Sequence, residues 1–166
     1  ATINMKKSII FCLTLSPSHE KKIRMLNYIP VGLGEKSFSK NCFTDKLKKN
    51  ISNKNPFYGE YTFHYWLWKN YLSNLDYDWV GFCQYRKFFL KEKLNEKLAT
   101  FEAIKKLSLN EIGSDFDNYD CILGEKFSVT NYKFIKIFKN YLSDFLKKPQ
   151  RFFSNKERTI KLHFDL

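Results

Sequence analysis

The chain has 166 residues, 43% hydrophobic and 18% aromatic, with 29 basic against 17 acidic side chains and a formal net charge of +12. That length and apolar content place it as one domain with its own core and exclude a disordered chain. No apolar run approaches the ~20 residues that cross a bilayer as a helix, and the basic excess favours polyanions: nucleic acid, an anionic membrane or phosphorylated small molecules. Heavy use of Lys, Asn, Ile and Phe beside three Ala is the pattern of an AT-rich coding sequence, a compositional source for part of that charge. Cys12, Cys42, Cys83 and Cys121 form no C-x-x-C pair. They read as buried free thiols in a reducing compartment, which makes a cytoplasmic location the expectation.

Residues 1–4 read as the remnant of an expression tag, with Met5 the natural start. The apolar run SIIFCLTL (8–15), ended by Ser16-Pro17, predicts a buried parallel strand. Lys6 and Lys7 give it only the outline of a signal peptide, because His19, Glu20, Lys21 and Lys22 follow with no small-residue cleavage site. Residues 19–26 suit a short helix and YIPVGL (28–33) a second strand. Neither G-x-G-x-x-G nor a P-loop is present, so dinucleotide and P-loop readings have no support. Residues 35–54, rich in Lys, Asn and Ser, form a long loop, either a flexible binding loop or a solvated excursion.

The stretch 50–89 concentrates the unusual chemistry, including all three tryptophans. Asn55-Pro56 signals a helix start, Asn as cap and Pro in the first turn, and the helix is expected to run to about Leu72. On its wheel Phe57, Glu60, His64, Leu67 and Tyr71 share a face, and aromatics on nearly every face predict a largely buried helix. Glu60 then needs a partner. Either it pairs with His64 or the backbone, or it holds a substrate hydroxyl or acts as a base. Asp76-Tyr77-Asp78 reads as a turn and residues 79–83 (WVGFC) as a buried strand that ends in Gln84-Tyr85-Arg86-Lys87. Ligands bind beyond the carboxyl ends of strands in open α/β sheets. Arg86, one of four arginines, suits a phosphate or carboxylate there, or else a salt bridge to a core carboxylate such as Glu60.

Residues 90–110 have a charged, exposed helical pattern, and residues 121–124 (CILG) read as another short buried strand, with 125–129 lining the cleft beyond it. Residues 131–148 predict an amphipathic helix with Phe134, Phe138, Tyr141, Leu142 and Phe145 on its apolar face. Its basic back is either solvated or docked on anionic lipid at ~1 kcal/mol per Lys.

The pattern NIS-x-KNP-x-Y-x-E-x-T-x-x-YW-x-WKN, followed by a strand reading G-(F/L)-x-(H/Q)-YR-(R/K)-(Y/F)-F, resembles the DUF4422 family of capsular and exopolysaccharide biosynthesis proteins. The matching positions are Asn50, Ile51, Ser52, Lys54, Asn55, Pro56, Tyr58, Glu60, Thr62, Tyr65, Trp66, Trp68, Lys69 and Asn70, then Gly81, Tyr85, Arg86, Lys87 and Phe89. Gln84 stands where that family usually has His, Lys87 where it often has Arg, and Lys49 where an acidic residue commonly precedes Asn-Ile-Ser. The family pattern continues past residue 166, which reads as a C-terminally truncated domain spanning 5–166.

The resemblance implies an α/β, GT-A-like single domain with a short, mostly parallel central sheet flanked by helices. It implies a glycosyltransferase that moves a sugar from a nucleotide-sugar donor, UDP-linked, to a saccharide or lipid-linked saccharide acceptor of a capsular or surface polysaccharide. Glu60 and Arg86 are the expected catalytic residues. Asn50, Ser52, Lys54, Asn55, Trp66, Lys69, Asn70, Gln84, Tyr85 and Lys87 are the expected substrate-binding residues. No metal ligands are assigned, and Mg2+ or Mn2+ is left open as a cofactor. Peripheral contact with the anionic inner membrane is a further expectation. A non-catalytic carbohydrate- or nucleotide-sugar-binding domain is the alternative. No nucleic-acid partner is expected, since no RNP motif, helix-turn-helix or Arg-rich arm occurs.

Overall fold

A computed structural model describes residues 6–95 and 99–125, together with Leu142, Leu146 and Lys147. Four parallel strands form one sheet in the order β3-β2-β1-β4, with β1 at Ser8–Thr14, β2 at Ile29–Gly32, β3 at Phe43–Thr44 and β4 at Trp79–Gln84. Within residues 6–95 and 99–125 the α-helices are α1 at Glu20–Met25, α2 at Asn55–Tyr58, α3 at Tyr61–Asn70 and α4 at Phe101–Leu107. This is an α/β fold of the expected class, consistent with a short GT-A-like domain.

β1 reads as an unbroken apolar run because both of its faces are covered. Phe11 and Leu13 pack with Val31, Leu33, Phe63, Trp66 and Leu67 on the α3 side. Ile10 and Cys12 pack with Ile23, Leu26, Tyr28 and Cys83 on the α1 side. Phe11 anchors the first cluster, its ring 5.3 Å from Phe63 and 5.9 Å from both Phe43 and Phe82. The Tyr28 hydroxyl donates to the Leu109 carbonyl at 2.8 Å and lies 3.0 Å from that of Phe89. It thereby ties the segment after β4 to the α1 side.

The long loop is neither free nor merely solvated. Glu20 accepts from the Ser39 amide at 3.0 Å and from its hydroxyl at 2.5 Å, and Arg24 donates to Asn41 O at 2.7 Å. Phe38 lies on Gly32, where a Cβ would meet the ring at 2.3 Å. The loop contributes β3 and closes one sheet edge.

The expected single helix 55–72 is broken. Gly59 takes φ +52° between α2 and α3. Asn55 does not cap the helix by accepting. Its amide instead donates across the break to Gly59 O at 2.8 Å and Thr62 Oγ1 at 3.2 Å. Nor is the helix buried all round: Thr62, Phe63, Trp66 and Leu67 are buried, while Phe57, Tyr58, Tyr61 and Trp68 are exposed.

Among the described residues of 90–110 the helix is α4, started by Thr100, whose hydroxyl accepts from Ala103 N at 3.2 Å. The strand expected at 121–124 does not form; Cys121 is exposed and Leu123 is 82% exposed. The other three cysteines are buried and free. Residues 1–4, 126–129 and most of the predicted helix 131–148 lie outside the described residues; Leu142, Leu146 and Lys147 of that helix are helical and exposed. No helix among the described residues is long and apolar enough to cross a membrane.

Candidate functional site

A cleft of about 560 Å³ opens at the carboxyl ends of the central strands, within the usual size of small-molecule sites. Leu13, Thr14 and Leu15 come from the end of β1, Leu33 follows β2, and Gln84, Tyr85 and Arg86 end β4. Asn55, Pro56, Gly59 and Glu60 form the wall where α2 breaks from α3, and His19 closes the side towards α1.

Glu60 reaches this cleft because of the break. Its carbonyl accepts the first turn of α3, from Phe63 N at 3.0 Å, so its side chain leaves the helix at the cleft rim. There it accepts a hydrogen bond from the Gln84 side-chain amide. This bond joins the two walls, and it replaces the expected pairing with His64 or Arg86. His64 packs edge-on against Phe82 at 4.4 Å, and its buried Nδ1 has no partner among the described residues. Burial holds His64 below the ordinary imidazole value, only partly offset by the Glu60 backbone and charge.

Arg86 occupies the third position of a tight turn closed by Lys87 N donating to Gln84 O at 2.8 Å. Its φ of +83° is one that glycine ordinarily takes. The guanidinium is exposed in the lining and forms no ion pair among the described residues. Beside it, Tyr85 stacks on His19, centroids 3.6 Å apart at 9°. His19 Nδ1 lies 2.8 Å from Thr14 Oγ1. Burial, then the charges of Arg86, Lys22 and Lys36, hold His19 below the ordinary imidazole value. The cleft is therefore polarised, with cations on the His19 side and the carboxylate at α3.

Of the residues expected from sequence, Glu60, Asn55, Gln84, Tyr85 and Arg86 meet in the lining. The others lie outside it. Asn50 organises its own loop, donating to Lys46 O and Lys48 O and accepting from Ser52 N and Oγ. That network also occupies the Ser52 hydroxyl. Trp66 is buried and donates from its indole to Leu47 O at 2.7 Å. Asn70 brackets Lys49, donating to its carbonyl at 2.8 Å and accepting from its amide at 3.3 Å. Lys69 lies over the Trp68 ring at 3.2 Å. Lys54 is exposed outside the lining, as is Lys87. Trp66 and Asn70 pin the 46–54 loop to α3, and Asn50 and Ser52 order it from within, a physical reason for their spacing that needs no ligand. Sequence reasoning missed His19 and Thr14. Their position, at the end of the first strand and just after its polar turn, was the available signal.

The cleft lining holds one carboxylate, Glu60, and no cluster of three or more metal-ligating side chains occurs among the described residues. Asp76 and Asp78 sit before β4, at the end of the strand away from the cleft. They are bound there to Lys7, Asp76 through Nζ at 2.6 Å and Asp78 through the backbone amide at 2.8 Å.

A family model described as a domain of unknown function, DUF4422, matches residues 10–164. No curated protein and no solved structure matches the chain.

Proposed function

The chain belongs to the DUF4422 family, and on that premise we propose that it transfers a sugar from a nucleotide-sugar donor, UDP-linked, to a saccharide or lipid-linked saccharide acceptor of a bacterial surface polysaccharide. The observation that carries this reading is the meeting of Arg86 with the Glu60–Gln84 pair in one cleft at the carboxyl ends of parallel strands. The donor's diphosphate lies against Arg86, whose planar fork suits phosphate oxygens. The donor's sugar lies towards Glu60 and Asn55.

In the transfer, an acceptor hydroxyl oxygen bonds to the anomeric carbon as the bond to the leaving phosphate oxygen breaks. The hydroxyl proton passes to the Glu60 carboxylate, and the charge on the departing diphosphate is neutralised by Arg86. Gln84, donating to one carboxylate oxygen, holds Glu60 in orientation and leaves the other oxygen for the hydroxyl. Glu60 is the single carboxylate of the lining, and the cation placed at the diphosphate is Arg86. The reading includes a cytoplasmic location, supported by the buried free thiols of Cys12, Cys42 and Cys83, and peripheral contact with an anionic membrane, supported by the net charge of +12.

Arg86→Ala is expected to abolish binding of UDP-sugars by calorimetry while circular dichroism remains native. Unchanged affinity would remove Arg86 from the site. Transfer that persists in EDTA supports a cationic rather than a metal-assisted departure.

A further inference from the structure

The cationic side of the cleft contains a histidine that the transfer just described leaves unused. We propose that His19 is a second ligand of the donor's diphosphate, donating from Nε2–H to a phosphate oxygen beside Arg86, with Thr14 and Tyr85 positioning the ring for that role. The identity of the anion rests on the nucleotide-sugar reading; the anion-binding role of His19 does not.

The proton on the ring follows from the Thr14 hydroxyl. Thr14 Oγ1 accepts from Ser16 N at 3.1 Å. Its own single proton has two acceptors within reach, His19 Nδ1 at 2.8 Å and Ser16 O at 3.4 Å. The assignment goes to His19 Nδ1, whose 2.8 Å contact has an ordinary hydroxyl hydrogen-bond length, whereas 3.4 Å lies beyond the usual range of about 2.5–3.0 Å. Nδ1 is then an acceptor, and the neutral ring carries its proton on Nε2. Tyr85 covers one ring face at 3.6 Å and fixes its plane.

What remains for a ligand is the ring edge bearing Nε2–H, in a lining shared with Arg86. Lys22 and Lys36 add positive charge on the same side, and with Arg86 they favour the neutral ring. A neutral donor among cations complements an anionic oxygen without requiring the imidazole to be charged. The carboxylate Glu60 comes instead from the wall where α2 breaks from α3.

The test is calorimetry with inorganic pyrophosphate and with UDP, GDP and ADP, on the full chain. His19→Ala is expected to weaken pyrophosphate and nucleotide binding about tenfold or more, the scale of one hydrogen bond to a charged group, with an unchanged melting temperature. His19→Gln, which can place an N–H near the Nε2 position, is expected to recover much of that loss. Imidazole 15N shifts should show Nδ1 unprotonated. Pyrophosphate affinity unchanged in His19→Ala overturns the proposal, as does a glutamine variant no better than alanine or a ring protonated on Nδ1. If the wild-type chain binds pyrophosphate but none of the nucleotides, the nucleotide-sugar reading fails while the His19 variants still decide this one. A wild-type chain that binds neither overturns both.

Discussion

His64 shows how position changes a residue's meaning. From the sequence it is Glu60's helical neighbour; in the fold Glu60 bonds Gln84, and His64 is left against Phe82 with a buried, unpartnered Nδ1. Its folded-state pKa lies below the ordinary 6.5, chiefly through burial. The unfolded chain therefore takes up the proton first as pH falls. The stability due to neutral His64 is complete above pH 6.5 and is lost as pH drops from there through the lower folded value. Urea unfolding of wild type and His64→Phe at pH 7.5 and 5.5 is expected to show a smaller acid loss in the variant. An equal loss would place the titration elsewhere. Asp45 is a residue that sequence reasoning passed over. It follows β3, is 1% exposed, and neither carboxyl oxygen has a partner among the described residues. In the sequence it sits in a Lys-rich loop, where an aspartate ordinarily reads as solvated.

At the scale of elements, the break at Gly59 decides whether there is a site. A continuous helix from Asn55 would put Glu60 on the face of Phe57 and His64. The break makes Glu60 the cap residue of α3 and aims it at Gln84. A Cβ at Gly59 would meet nothing within 4 Å, so the position requires glycine for its torsion alone, φ +52° with ψ −127°. Gly59→Ala is expected to destabilise by about 1–3 kcal/mol and to weaken donor binding in the same measurement set. A variant of wild-type stability and affinity would show that the break is not needed. The glycine was visible in the sequence, but an isolated glycine inside a helical pattern is usually tolerated, and the aromatic density on both sides masked it. The expected strand at 121–124 failed for the complementary reason: a short apolar run carries no information about whether a sheet edge is there to receive it.

On the scale of the whole molecule, the parallel sheet brings three strand ends and one helix break to one edge, and the chain carries a formal net charge of +12. Membrane contact belongs to this scale, since it depends on summed charge rather than on any one lysine. The chain is expected to co-sediment with vesicles containing phosphatidylglycerol, to leave phosphatidylcholine vesicles in solution, and to be released by about 0.5 M salt, where screening is short-ranged. Equal binding to both vesicles would remove the charge from the explanation. The sequence by itself determined the strands β1, β2 and β4, helix α1, and the placement of Arg86 at a strand end. Apolar runs bounded by turn residues report local burial, and parallel strands covered on both faces have an unambiguous pattern. Only the tertiary structure decided that Gln84 rather than His64 holds Glu60, that Asn50, Trp66 and Asn70 serve the loop, and that His19 faces the cleft. Those outcomes depend on contacts between residues far apart in the chain, and on one backbone torsion that no periodicity encodes.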